Sequence, residues 1–183
     1  KYILFLGTLE PRKNLSRVLD AFSRFKKAYQ GNFDYQLVVA GKKGWLTEEY
    51  FQQTKDFGIE DDVIFTGYVG GDELKPLYAN AEFFVMPSHY ESFGMVALEA
   101  MACGTPVISS HTHSLPEIAG EAALYFDPYD IKSITASVTR VLPDPGLSRD
   151  LKSKGLSRSA KFSGGYRMSN FAPSISSCLG NWE

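Results

Sequence analysis

Glu91 and Glu99 enclose a seven-residue segment, and Arg12-Lys13 lie in a polar turn near the start of the chain. These residues can serve one kind of ligand. Ionised carboxylates accept hydrogen bonds from hydroxyls, so a pair of them suits a sugar or a ribose. Cations suit phosphate. The free N–H groups and positive dipole end of a helix N-terminus suit the same anion. The bare pattern also allows plainer roles. Glu91 can cap a helix, Glu99 can meet a neighbouring Arg or Lys, and Arg12 and Lys13 can sit in water.

The elements around these residues decide whether they act together. Residues 81–86, Ala-Glu-Phe-Phe-Val-Met, read as a buried parallel strand. Pro87 ends it, because proline has no N–H for a ladder. Residues 88–93 form a polar loop, and Gly94 turns the backbone into a helix that runs to about Cys103, where Gly104 stops it. That helix is apolar on nearly every face and is expected to be buried. Glu99 lies roughly 1.5 turns into it and needs a cleft, a partner or water there. In an open α/β sheet such a unit places its loop at the carboxyl edge of the strands, where ligands bind. The amides of Phe93, Gly94 and Met95 are expected to face that edge.

The rest of the chain repeats the scheme. Residues 2–6 form a first, central strand, and residues 7–14 form the polar turn that carries Arg12 and Lys13. Asn14 or Ser16 caps the next helix, with Leu15, Val18, Leu19, Phe22 and Phe25 on one face. Residues 33–40 contain a second strand, 46–57 a helix with Thr47 as a cap, and 62–66 a third strand. Asp72 caps a short helix to about Ala79, turning Leu74, Leu77 and Tyr78 inward. Strands follow at 105–109 and 122–126; Asp130 caps a helix to about Leu142; after the break at 143–146 a last helix runs from Ser148 to about Lys161. The fold class is α/β, a doubly wound, Rossmann-like sheet of six parallel strands. Residues 1–162 read as one such domain, and from Ser163 to Glu183 the helical period is lost.

Several function classes drop out. A net charge of −2 gives no electrostatic case for nucleic acid. No run reaches the roughly 18 apolar residues of a membrane span, and no signal peptide is visible. Cys103 and Cys178 form no disulfide framework, Cys103 reads as a core residue, and a reducing cytoplasm is the default. Gly41-Lys-Lys-Gly44 lacks the Walker spacing, and Gly67, Gly70 and Gly71 do not make a nicotinamide fingerprint. Gly41-Lys-Lys-Gly44 either approaches a ligand at the sheet edge or is a solvated turn. His111-x-His113 has no third ligand nearby in sequence and is a weak metal signal. His89 reads as a loop residue.

Glu91-Ser-Phe-Gly-Met-Val-Ala-Leu-Glu99, followed by Ala-Met-Ala-Cys-Gly-Thr-Pro-Val, resembles the Glu-x7-Glu motif of retaining nucleotide-sugar glycosyltransferases. Over residues 2–142 the chain is most similar to family 4 (group 1), whose fold is the two-domain GT-B arrangement. The resemblance implies that this chain is the C-terminal, donor-binding domain. It implies that Glu91 binds donor-sugar hydroxyls, that Glu99 binds the ribose, and that the amides of Phe93, Gly94 and Met95 contact sugar and diphosphate. The turn after the first strand holds the diphosphate in that family. Lys13, six residues after Gly7, matches the phosphate-binding lysine. Thr8 stands where the family usually has an arginine, which leaves Arg12 as a candidate replacement. Tyr68 and Val69 are the candidates for contact with the base, and Ser114 to Glu117 match a segment near sugar and phosphate.

Further expectations follow from the same resemblance. Glu91 and Lys13 are the catalytic candidates. The reaction expected is sugar transfer from a nucleoside diphosphate sugar to an acceptor hydroxyl with retention, without a metal or other cofactor. The alternatives are a nucleotide-sugar epimerase of GT-B-like fold and a non-catalytic nucleotide-binding module. Because Lys1 leads straight into a core strand, the chain is expected to be part of something longer. The remainder would be an N-terminal acceptor-binding domain, with a glycan or lipid-linked acceptor and attachment to the inner face of a membrane through that domain. The isolated domain would bind donor and transfer little.

Overall fold

Runs rich in β-branched and aromatic residues become six strands: β1 (Tyr2–Leu6), β2 (Gln36–Ala40), β3 (Val63–Gly67), β4 (Phe83–Met86), β5 (Val107–Ser110) and β6 (Ala123–Phe126). They lie in one parallel sheet in the order β3-β2-β1-β4-β5-β6. Seven helices among the described residues connect and flank them: α1 (Leu15–Ala28), α2 (Thr47–Phe57), α3 (Leu74–Ala79), α4 (Met95–Ala102), α5 (Leu115–Ala119), α6 (Ile131–Val141) and α7 (Pro145–Ser163). The structure, a computed structural model, describes residues 1–30, 33–44 and 47–163. The six-stranded, Rossmann-like sheet expected from the sequence is the one found. Leu46, expected in α2, lies outside the described residues, as do residues 164–183 of the C-terminal tail, with Phe171, Cys178 and Trp182.

The core is double because strand side chains alternate between the two faces. Ile3, Phe5, Leu37, Val39, Phe83, Val85 and Ile108 pack beneath α1 and α6, whose stripe residues Val18, Phe22, Ile134 and Val138 close that layer. Leu4, Val38, Phe84, Met86 and Val107 face the other way, against α4 and Tyr78 of α3. α4 carries no polar face to speak of, and residues Ala97, Leu98, Ala100 and Met101 are fully buried. α7 lies over it at Gly155, where an added Cβ would come within 3.2 Å of Met101 Cγ.

Five local expectations are corrected. Asn14 precedes α1, but its backbone is left-handed (φ 58°) and its side chain makes no capping bond; Ser16 lies inside the helix. Thr47 is the first residue of α2, and its hydroxyl donates to Gly44 O instead of accepting as a cap does. Asp72 sits within a 3-10 turn, Gly71–Glu73, that passes directly into α3, so no extended cap position exists for it. The last helix starts at Pro145 rather than Ser148. Asp144 Oδ1 accepts from the amides of Gly146 and Leu147, both at 2.9 Å, and proline is at home in a first turn. Cys103, expected in the core, is only partly buried and closes the C-terminal end of α4.

Candidate functional site

The chain leaves β1 in one direction and β4 in the other, so the neighbouring loops part and open a crevice at the carboxyl edge. Both loops that border it carry the residues singled out by sequence. After β1, Gly7 donates to Ala40 O at 2.9 Å, and a 3-10 turn, Pro11–Lys13, brings Arg12 and Lys13 round. The Lys13 side chain folds back over Gly7: an added Cβ there would lie 3.5 Å from Lys13 Cε. It ends on Glu91 Oε1, in an ion pair that joins the two loops. Ser88 Oγ donates to the same oxygen at 2.8 Å. Arg12 stands further out, about half exposed, 2.6 Å from Glu10 and 3.7 Å from Glu91 Oε2. Both members of the Lys13–Glu91 pair are nearly buried, which strengthens their attraction relative to a surface pair.

The loop after β4 is tied down by backbone and hydroxyl contacts. His89 N donates to Arg12 O at 2.8 Å, Ser110 Oγ to Ser88 O at 2.7 Å, and Ser114 Oγ to Glu91 O at 2.9 Å. Gly94 then takes φ 94° at the cap of α4, a conformation that an L-residue rarely adopts. The space also demands glycine, because a Cβ would approach Leu115 Cδ2 to 2.7 Å. Among the described residues the amides of Phe93, Gly94 and Met95 have no acceptor within the chain. They form a donor set at the N-terminus of α4.

Glu99 is brought to a different neighbour. It is 8% exposed and accepts from Tyr78 Oη at 3.0 Å. Burial raises its pKa above the ordinary carboxylate value, and the Tyr78 bond only partly opposes this. Gly7, Thr8, Tyr68 and Val69 meet with Leu6, Ala40, Gly41 and Lys42 around a cleft of about 270 Å³. Gly41 lets the turns after β1 and β2 touch, since a Cβ there would overlap Gly7 O at 1.9 Å. Tyr68 is 70% exposed, with Lys42 Nζ 5.1 Å from its ring centre. Hence Lys42, which sequence left open as a solvated residue, belongs to this cleft.

Sequence reasoning missed two residues here. Asn14 Nδ2 donates to Pro87 O and to Pro128 O, both at 3.0 Å, and so binds the loops after β4 and β6 to the start of α1. Arg17 reaches Asn14 Oδ1 at 3.1 Å and His89 Nε2 at 3.3 Å. The only signal in the sequence was an Asn at a helix start, which ordinarily means a cap. His111 and His113 turn to different rings, Tyr125 and Tyr90. Among the described residues no three His, Cys, Asp or Glu are grouped to hold a metal, and no helix is long and apolar enough to cross a membrane.

Comparison with known proteins bears on the family and the fold. The chain is 40% identical over 143 residues to the O-antigen chain mannosyltransferase B of Escherichia coli, covering 78% of this chain and 37% of that protein. It therefore spans well under half the length of the curated relatives it matches. The crystal structure of the C-terminal domain of a glycosyl transferase group 1 protein from Francisella tularensis superposes with a TM-score of 0.76 at 24% identity, over 87% of this chain and 84% of that one. The Anabaena Alr3699/HepE structure in complex with UDP and glucose superposes with a TM-score of 0.77 at 17% identity, over 97% of this chain and 46% of that one. At such identities both show the fold. The model of the family glycosyl transferases group 1 matches residues 1–158, nearly all of the described chain. With this match, and a crevice built at the sheet's switch point, the chain belongs to the glycosyl transferases group 1 family.

Proposed function

We propose that this chain is the donor-binding domain of a retaining glycosyltransferase of family 4, the C-terminal half of a GT-B enzyme. The observation that carries the reading is the Lys13–Glu91 pair across the crevice, beside the open amides at the start of α4. The donor is a nucleoside diphosphate sugar. Its diphosphate lies between Lys13 and the amides of Phe93, Gly94 and Met95, with Arg12 at the outer edge. Thr8, against the cleft wall, takes no charge role, so Lys13 and the helix N-terminus supply the stabilisation of the leaving diphosphate. Glu91, oriented by Ser88 and Lys13, accepts from sugar hydroxyls. Glu99 accepts from the ribose hydroxyls as well as from Tyr78 Oη. The base enters the cleft of Gly7, Tyr68 and Val69.

In this reading an acceptor hydroxyl attacks from the face that the leaving group departs, so the anomeric configuration is retained. No metal or cofactor is needed, because cationic and amide donors already face the phosphates. The acceptor, a glycan or a lipid-linked sugar, binds a preceding N-terminal domain. The enzyme is cytoplasmic, with any membrane contact made through that other domain. Residues 1–162 form the nucleotide-sugar domain, which alone binds donor and transfers little. The E. coli relative's mannosyl transfer and the Anabaena protein's UDP are in keeping with this donor class.

A thermal-shift screen of UDP, GDP, ADP and their sugars tests the reading. A ligand at 100 times its Kd adds about 2.7 kcal/mol of stability. No shift with any of them, with or without Mg²⁺, would exclude a donor site here.

A further inference from the structure

The crevice rests on a polar cluster that lies behind it. Asn14 is 4% exposed and spends every hydrogen-bonding group: Nδ2 on Pro87 O and Pro128 O, Oδ1 on Arg17. The same Arg17 Nη1 that donates to Asn14 also lies 3.3 Å from His89 Nε2. A guanidinium has no lone pair to offer and is always charged. His89 Nε2 is therefore the acceptor, and the imidazole is neutral with its proton on Nδ1. That Nδ1 is buried and has no partner among the described residues. The ring stacks on Tyr129, 4.7 Å between centres at 18°. Asn14 and Arg17 together thus tie the start of α1 to the loops after β4 and β6.

One residue, Tyr90, separates His89 from Glu91, and one backbone bond, His89 N to Arg12 O, separates it from the turn holding Lys13. We propose that Arg17 and His89 are positioning residues for the Lys13–Glu91 pair, and that they work only while His89 is neutral. The inference rests on the donor-site reading for its meaning, but not for its test. On protonation Nε2 acquires a hydrogen aimed at the Arg17 guanidinium. The acceptor is lost and two cations face each other, so the loop after β4 moves off α1 and carries Glu91 with it. The groups that face His89 are Arg17 from α1, the Arg12 carbonyl from the loop after β1, and Tyr129 from the loop after β6; among the described residues no carboxylate hydrogen-bonds to it. Burial, and then Arg17, hold its pKa below the ordinary histidine value, consistent with a neutral ring.

An NMR titration of the isotope-labelled chain, without ligand, from about pH 7.5 to about pH 5 tests this. His89 should show a bare Nε2, titrate with a midpoint below about 6.5, and move the Lys13 and Glu91 amide signals at that same midpoint. His89→Gln keeps an acceptor opposite Arg17 and cannot take a proton. It should keep the neutral-pH positions of those amide signals and abolish their movement at that midpoint. His89→Phe keeps a ring on Tyr129 without the acceptor and should displace the signals at every pH. A protonated Nε2 at neutral pH, a midpoint at or above about 6.5, or Lys13 and Glu91 signals indifferent to His89 would overturn the proposal. Nucleotide binding is measured separately, so a failed donor site and a failed clamp give different results.

Discussion

Lys13 and Glu91 are 78 positions apart in the chain and form an ion pair across the gap between β1 and β4. The gap is where the strand order reverses, so no other pair of adjacent loops diverges as these do. The pair sets a cation and an anion side by side in that crevice, the arrangement on which the proposed donor site rests.

Lys13→Ala should weaken donor binding more than Arg12→Ala. Lys13 lies over Gly7 and ends in the crevice, while Arg12 already has Glu10 at 2.6 Å and is about half exposed. A charge-assisted phosphate contact contributes roughly 1.5–3 kcal/mol, or about ten- to 150-fold in Kd. Calorimetry with the nucleotide found in the screen measures both. A larger loss from Arg12→Ala would make Arg12 the substitute for the family arginine absent at Thr8.

Glu91→Ala and Glu99→Ala should separate sugar from nucleotide. Loss of Glu91 should chiefly weaken sugar-bearing donors, and loss of Glu99 should weaken the bare diphosphate as well. Each missing hydrogen bond to a neutral hydroxyl is worth about 0.5–1.5 kcal/mol. Equal losses for both ligand types in both variants would end the distinction.

Glu99→Gln should raise the melting temperature of the ligand-free chain at neutral pH while lowering nucleotide affinity. Glu99 has a raised folded pKa, chiefly through burial. Below its unfolded pKa near 4.5 the carboxyl is neutral in both states and no penalty applies. As pH rises through the folded pKa, the buried charge costs stability, so at neutral pH the neutral amide is favoured. The amide oxygen still accepts from Tyr78. A gain of about 1 kcal/mol would appear as roughly 2–4 °C, and it should vanish in acid. A variant less stable than wild type at neutral pH contradicts the argument.

Gly94→Ala should destabilise the chain and abolish donor binding together. It places a Cβ at φ 94° and 2.7 Å from Leu115 Cδ2. The expected cost is on the order of 1–3 kcal/mol. Denaturant unfolding gives the stability, and the thermal-shift screen gives the binding. Undiminished binding would show that the amides of Phe93, Gly94 and Met95 are not contacts.

Nucleotide binding should survive EDTA, since in the proposed site Lys13 and the α4 amides take the place of a metal at the phosphates. Binding that appears only with Mg²⁺ would assign the phosphate charge to a metal.

Period and punctuation in the sequence determined the strand–loop–helix unit from Phe83 to Gly104, the apolar α4 and the six parallel strands, because burial of alternating or all-apolar runs is a local requirement. They also marked Glu91, Gly94 and Glu99. Which strands became neighbours was settled by packing: an unbroken apolar run says that β1 is central, but only the order β3-β2-β1-β4-β5-β6 sets its loop against that of β4 and so pairs Lys13 with Glu91. Polar partners were settled in the same way. Asn14 reads as a cap, yet its left-handed backbone turns the side chain between Pro87 and Pro128. Glu99 reads as needing a cleft, a partner or water, and the partner that the fold supplies is Tyr78 of α3. A buried polar group must find a partner wherever the fold brings one, and sequence spacing does not record what lies across a sheet edge.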